Sequence, residues 1–148
     1  MPSPAEHLAA SLSTHGGSAR WLDAHVRSIM RAGVISVPGD ASVRQVQRAL
    51  VAHHVHAVLV VDAQTGQPVG WATALGVLEH MLADTSLVPA VVAVTEPAES
   101  IEPAASAEDA LRRMLATGCR RLLVRRHAAS PPEGVVSEMD LVELATPR

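Results

Sequence analysis

Two polar side chains three residues apart, Ser137 and Asp140, stand in the run Gly134-Val-Val-Ser-Glu-Met-Asp-Leu-Val. An apolar, strand-like stretch ends there and a helix begins. A carboxylate at such a boundary can accept hydrogen bonds from both hydroxyls of a sugar diol, and the spacing lets the serine point into the same cleft. The same spacing also makes a capping box, in which hydroxyl and acid close the helix start. The two readings are compatible. Arg120 and Arg121 precede the run Leu-Leu-Val, and a guanidinium fork suits phosphate oxygens; exposed charge at a strand mouth is the alternative. His53, His54 and His56 cluster in sequence. Zinc sites take three or four ligands, no cysteine is near, and the ring directions are unfixed, so no metal site is expected. A pH-sensitive contact to a phosphate is the better reading of the cluster. Cys119 beside two arginines is a setting for a thiolate, but no His or Asn partner can be argued, and a buried structural role is preferred. Glu108 and Asp109 complement a helix dipole.

Composition narrows the classes. The chain has 148 residues, 48% of them hydrophobic, two Trp, and no Phe or Tyr. Its core must be aliphatic, and base-stacking nucleic-acid modules lack their platforms. Net charge is −3, so no basic face is implied and no nucleic acid is expected as partner. Every basic side chain apart from His is Arg, which excludes Schiff-base and P-loop lysine chemistry. A single cysteine cannot make an internal disulfide, and a reducing cytoplasm is the natural compartment. The N-terminus lacks a charged region followed by an apolar stretch, so no signal peptide is expected. No apolar run is long enough for a membrane span.

The elements that must position these groups are legible from period and punctuation. Residues 1–18, rich in Pro, Ser, Ala and Gly, read as a mobile lead-in. Trp21, Leu22, His25, Val26, Ile29 and Met30 recur at helical spacing, with Ser18 as cap and Gly33 as stop, which predicts one short amphipathic helix. A strand follows at 35–37. Ser42 caps a helix with Val43, Val46, Ala49 and Leu50 on one face. Ala57–Val61 is a continuous apolar strand, 62–68 a turn, 69–73 a strand, and Ala74–Leu82 a helix. Residues 83–98, with Pro89 and Pro97 around an apolar run, read as a buried linker.

An offset of 64 residues, which lays Gly70 on Gly134, repeats the pattern without gaps from Ile35 to Glu79. Ser36 falls on Ser100, Ser42 on Ser106, Arg48 on Arg112, Leu59 on Leu123, Pro68 on Pro132, Thr73 on Ser137 and Glu79 on Glu143. Matches at caps, strands and turns in one register mark an internal repeat.

These residues resemble the cystathionine β-synthase (CBS) motif. Ser106-Ala-Glu-Asp-Ala-Leu-Arg-Arg-Met-Leu looks like its first helix, Cys119-Arg-Arg-Leu-Leu-Val like its central strand, and the Gly134 run like its strand-to-helix turn. In the first repeat Ile35-Ser-Val-Pro, His54-Val-His-Ala-Val-Leu-Val-Val-Asp and Gly70-Trp-Ala-Thr are similar to the same pattern. The resemblance covers about 26–144. It implies an α/β (α+β) fold of two βαββα repeats packed with pseudo-two-fold symmetry, a Bateman module: lead-in 1–18, first motif 19–82, linker 83–98, second motif 99–148.

The resemblance also implies a role: a non-catalytic regulator that binds AMP, ADP, ATP or S-adenosylmethionine in clefts between the motifs, needs no other cofactor, and often dimerises. Carried onto this chain, nucleotide binding would fall to Asp140, Ser137 and Val136. Gly33, Val34, Ile35 and Ser36, the segment leading into the other repeat, would read the adenine edge. Arg121, Arg120 and His56 would face phosphate. The first repeat departs from the pattern. Gly76 stands where Asp140 does, Thr73 is kept, and Trp71 replaces a small aliphatic residue. The second site, with Thr73, Gly76, Trp71 and Ile101, is therefore expected to be degenerate. Without an effector segment in the chain, the resemblance implies a homodimer that signals to an unidentified effector protein; with apolar runs too short for a span, no membrane partner is expected. A ligand-free interaction scaffold is the alternative function.

Overall fold

In the computed structural model, which describes residues 20–147, the chain opens with a 3-10 turn (Arg20–Asp23), α1 (Val26–Ile29), β1 (Arg31–Ala32), β2 (Ser36–Pro38), α2 (Val43–His53) and β3 (Ala57–Val61). It continues through β4 (Pro68–Thr73), α3 (Ala74–Leu82), a 3-10 turn (Ala90–Ala93), β5 (Val94–Pro97) and β6 (Ser100–Ile101). It ends with α4 (Ala107–Thr117), β7 (Arg121–Val124), β8 (Gly134–Ser137) and α5 (Glu138–Ala145). The chain divides into two compact units. One is Val34–Ala98; the other joins residues 20–33 to 99–147. Residues 1–18, including the Ser18 cap, lie outside the described residues.

The Val34–Ala98 unit carries a sheet in the order β2-β3-β4-β5. Strand β2 runs parallel to β3, while β3–β4 and β4–β5 are antiparallel. Val58 and Val60 of β3 are fully buried with Val43 and Val46 of α2, and Ala72, Val77, Ala90 and Ala93 complete the cluster. This aliphatic packing is what the alternation of β3 and the helical period of α2 require. Ser42 opens α2 with a capping box to Gln45, and His54 ends it in the left-handed conformation. Asp62 closes the β3–β4 turn by accepting from the backbone N–H of Thr65 at 2.8 Å and of Gln64 at 2.9 Å. Those donors hold its carboxyl below the usual carboxylate range.

The other unit repeats the plan, with a sheet in the order β1-β8-β7-β6. Val26, Leu122, Val124, Val136, Ala110 and Met114 lie in one buried cluster. Ser106 opens α4 with a capping box to Asp109, and Gly118 ends it in the left-handed conformation, at the position matching His54.

Two segments differ from their sequence reading. Residues 20–33 do not form one helix. The N–H groups of Val26 and Arg27 donate to the carbonyls of Ala105 and Pro103, at 2.8 and 3.0 Å, so the chain spends these donors on the loop before α4. It then turns extended and pairs Arg31 with Val135 and Ala32 with Gly134. Residues 83–98 are also more than a linker. Ala90 and Val91 donate to Ala41 and Gly39, the same pattern with the donors 64 residues on and the acceptors 64 residues back, and β5 pairs with β4. The structural repeat thus reaches back over the lead-in of each motif. Gly70 and Gly134 serve this pairing alike. A Cβ on Gly134 would strike the Arg31 carbonyl and the Met30 sulfur, and one on Gly70 would strike Val94 and the Glu96 carbonyl. Only glycine permits that approach.

Candidate functional site

Asp140 is set by two local devices. Val136 is fully buried, which aims its neighbours Val135 and Ser137 to the opposite side of the strand. Ser137 then leaves the strand as the N-cap of α5, and its hydroxyl accepts from the Asp140 N–H at 3.3 Å. Asp140 Oδ2 returns the bond by accepting from the Ser137 N–H at 2.8 Å. The capping box is therefore real. It uses one carboxylate oxygen and leaves the other for something else.

That second oxygen, Oδ1, lies 3.6 Å from Nε of Arg31. The Asp140 side chain is 7% exposed and that of Arg31 74%. Among the described residues no hydrogen bond ends on Oδ1. The site is thus a nearly buried acid whose second oxygen accepts no hydrogen bond from the described residues and is ion-paired to an exposed cation on β1. Sequence reasoning misses Arg31, because the segment reads as helix and its partner is far along the chain. A shift of 64 from Thr95 pairs the two lead-ins once the repeat is extended backwards.

The other sequence candidates divide between the units. Arg121 lies opposite Ser137 in the β7–β8 register, so their side chains share a face of the sheet. The Arg120 carbonyl accepts from the Glu138 N–H at 2.8 Å and helps seat α5. Gly33, with φ +80°, donates to the Glu133 carbonyl at 3.0 Å. The structure thus brings Arg31, Arg121, Ser137 and Asp140 to one end of one sheet. The side chains of Val136 and Ile101 are buried in the core of that unit, which leaves only their backbone for a ligand.

Val34, Ile35, Ser36, His56, Trp71, Thr73 and Gly76 belong to the Val34–Ala98 unit. The Ile35 carbonyl accepts from Leu59 N–H, and Ser36 pairs with Leu59 in the β2–β3 register. The His56 carbonyl accepts from Ala74 N–H at 2.9 Å, as Arg120 does for Glu138. Trp71 is buried. Thr73 caps α3 by accepting from Gly76 N–H at 3.2 Å, and its hydroxyl lies 3.0 Å from that of Thr95. A Cβ on Gly76 would lie 3.0 Å from the Ala93 carbonyl oxygen and 3.1 Å from the Thr95 methyl, so the space that Asp140 fills in one unit is closed here.

His53, His54 and His56 are exposed, and His54 is committed to the helix end. Among the described residues no three His, Cys, Asp or Glu side chains are grouped to hold a metal ion. Cys119 is buried and in no disulfide. No helix among the described residues is long and apolar enough to cross a membrane.

The comparisons with known proteins fit this geometry. The model of the CBS domain family matches twice, at residues 26–83 and 90–146, bounds that include both lead-ins. No curated protein matches the chain. Among solved structures, the CBS domain of a bacterial CNNM/CorC family Mg2+ transporter is similar, with TM-score 0.75 and 18% identity over 98% of this chain and 96% of that one. A CBS domain protein from Pyrobaculum aerophilum, solved with AMP, gives TM-score 0.69 and 19% identity over 82% and 98%. The CBS domain pair of protein MJ0100, solved with 5′-methylthioadenosine and S-adenosyl-L-methionine, gives TM-score 0.71 and 16% identity over 82% and 95%. With both repeats matched and two four-stranded sheets built on one plan, this chain belongs to the CBS domain family.

Proposed function

We propose that the chain is a regulatory module that binds one adenine nucleotide, AMP, ADP, ATP or S-adenosylmethionine, at the turn between β8 and α5, and passes the signal to a partner protein. The observation that carries this reading is the Asp140 carboxylate. It is held rigid by Ser137 and keeps Oδ1 without a hydrogen bond from the described residues, as a ribose diol requires. Burial strengthens such a bond, since little water competes for the acceptor. Arg31 and Arg121 supply positive charge at the same sheet end, and Arg31 is exposed enough to swing from the acid to a phosphate. Relatives of the same fold solved with AMP or with S-adenosyl-L-methionine support the ligand class. The Thr73–Gly76 turn lacks a carboxylate and the room for one, so it is the degenerate site, and the stoichiometry is one ligand per chain.

The test is a thermal-shift and calorimetric panel of the four ligands. Ligand at one hundred times its dissociation constant stabilises by about 2.7 kcal/mol. Asp140→Asn removes most of that shift, because asparagine can still accept from the Ser137 N–H but loses the charge. Equal binding by Asp140→Asn and wild type refutes the assignment.

A second reading, a homodimer that needs no ligand, also rests on an observation. Helices α3 and α5 expose apolar side chains at matching positions, Leu75 with Met139 and Leu78 with Val142, all more than half exposed. Such faces favour self-association. Sedimentation of Leu78→Glu checks this: a shift from dimer to monomer supports the assembly. A stable wild-type dimer that binds none of the four ligands selects the scaffold reading instead.

A further inference from the structure

At the opposite end of the β6–β7 pair from Asp140, a cleft of about 690 Å³ opens between α4 and the loop after β7. The cleft is broad and open to solvent, and its wall is more polar than apolar. Arg112 and Arg113 of α4 and Arg125, Arg126 and His127 of the loop line it. On a chain of net charge −3, four guanidinium groups face one space, and only two carboxylates, Glu102 and Asp109, share its wall.

The partners of these arginines are unequal. Arg112 pairs with Glu108 at 3.0 Å and Arg126 with Glu133 at 3.6 Å. Arg113 donates to the Ser100 carbonyl and Arg125 to the Ala128 carbonyl. Neither of those has an ion-pair partner among the described residues, and Nε of Arg125 is shielded from water with no hydrogen-bond acceptor.

The internal repeat supplies an independent control. Arg113, Arg125 and Arg126 fall on Ala49, Val61 and Asp62 of the first repeat, and only Arg112 has an arginine counterpart, Arg48. The Val34–Ala98 unit builds the same sheet and helices without the other three. The fold therefore does not require them, and what they add is charge around one cleft.

We infer that this cleft is a second ligand site, specific for a small anion carrying two or more phosphates, held by Arg113 and Arg125 and flanked by Arg112, Arg126 and His127. Planar guanidinium forks at two walls match the tetrahedral oxygens of adjacent phosphates. No adenine or ribose contact is needed, so the site is independent of Asp140.

The experiment is calorimetric titration of the full chain with inorganic pyrophosphate, in buffer of fixed, low ionic strength. Wild type and Asp140→Asn are expected to bind equally. Arg113→Gln/Arg125→Gln is expected to bind at least tenfold more weakly. Arg126→Gln, at an exposed position, is a second variant in case the double change impairs folding, and is expected to weaken binding severalfold. Loss of binding in Asp140→Asn, unchanged binding in both arginine variants, or no heat with wild type overturns the proposal. Since pyrophosphate has no adenosine, these outcomes are separable from success or failure of the adenine-nucleotide panel.

Discussion

The two units solve one packing problem with different residues, and the contrast underlies the proposed placing of the ligand. In each, a lead-in strand forms one edge of the sheet, pairs antiparallel with the strand that runs into the last helix, and meets the cap of that helix. In one unit the meeting pair is Arg31 and Asp140, 3.6 Å apart. In the other the corresponding pair is Thr95 and Gly76, where a methyl and a hydroxyl occupy the space and Thr95 bonds to Thr73 at 3.0 Å. The two pairs differ in kind: a long cation with an acid in one, a compact threonine with no side chain opposite in the other. The frame tolerates either, so the charged pair is not needed for folding. That is the physical reason for proposing that ligand binds at one turn and not at its twin.

The largest expected effect tests what the units share. Gly134→Val and Gly70→Val each force a side chain into the backbone of the lead-in strand, and overpacking at such a contact costs about 3 kcal/mol. Urea denaturation should show similar losses for both. A neutral outcome at either glycine breaks the equivalence of the lead-ins.

The next test exchanges the pair. Gly76→Asp places a carboxylate against the Ala93 carbonyl and Thr95 and should cost about 1–2 kcal/mol. Adding Thr95→Arg transplants the charged partner and should recover part of that loss in the same denaturation assay. If the double variant is worse than the single one, the two pairs are not interchangeable.

Smaller effects sharpen the contrast. Ser137→Ala and Thr73→Ala each remove an N-cap hydroxyl and should cost about 1 kcal/mol in thermal unfolding. The Ser137 change should also weaken nucleotide binding, and the Thr73 change should not. Arg31→Ala is expected to alter stability least, by about 0.5 kcal/mol, because an exposed guanidinium gains little from a pair in water. Its readout is ligand affinity, where loss of charge beside Asp140 should be felt.

Most elements are legible in the amino-acid order itself. Helix α3 and strand β3 carry the bounds that period and punctuation predict, and α2 starts at its Ser42 cap. The lead-ins are not legible in this way. Arg31–Ala32 is only two residues long, too short to display an alternation, and its apolar neighbours mimic a helical face. Val94–Pro97 contains a proline, which suggests a connection, yet its pairing with β4 makes it a strand. At the candidate site, Ser137 and Asp140 are recognisable because their relation is local, whereas Arg31 is not. The clustering of Arg113 with Arg125 is equally hidden, since the helix and the loop that carry them are separate in sequence.

Caps, turn acids, aliphatic strand runs and the 64-residue echo were determined by the amino-acid order alone, because each depends on neighbours within a few residues or on direct comparison of one stretch with another. Which lead-in strand joins which sheet, and so which side chain faces each helix cap, was decided only by the tertiary fold. Pairing between distant segments leaves no periodic mark in either of them. It is selected by the close approach that Gly70 and Gly134 permit and by the backbone groups left to be satisfied at a sheet edge.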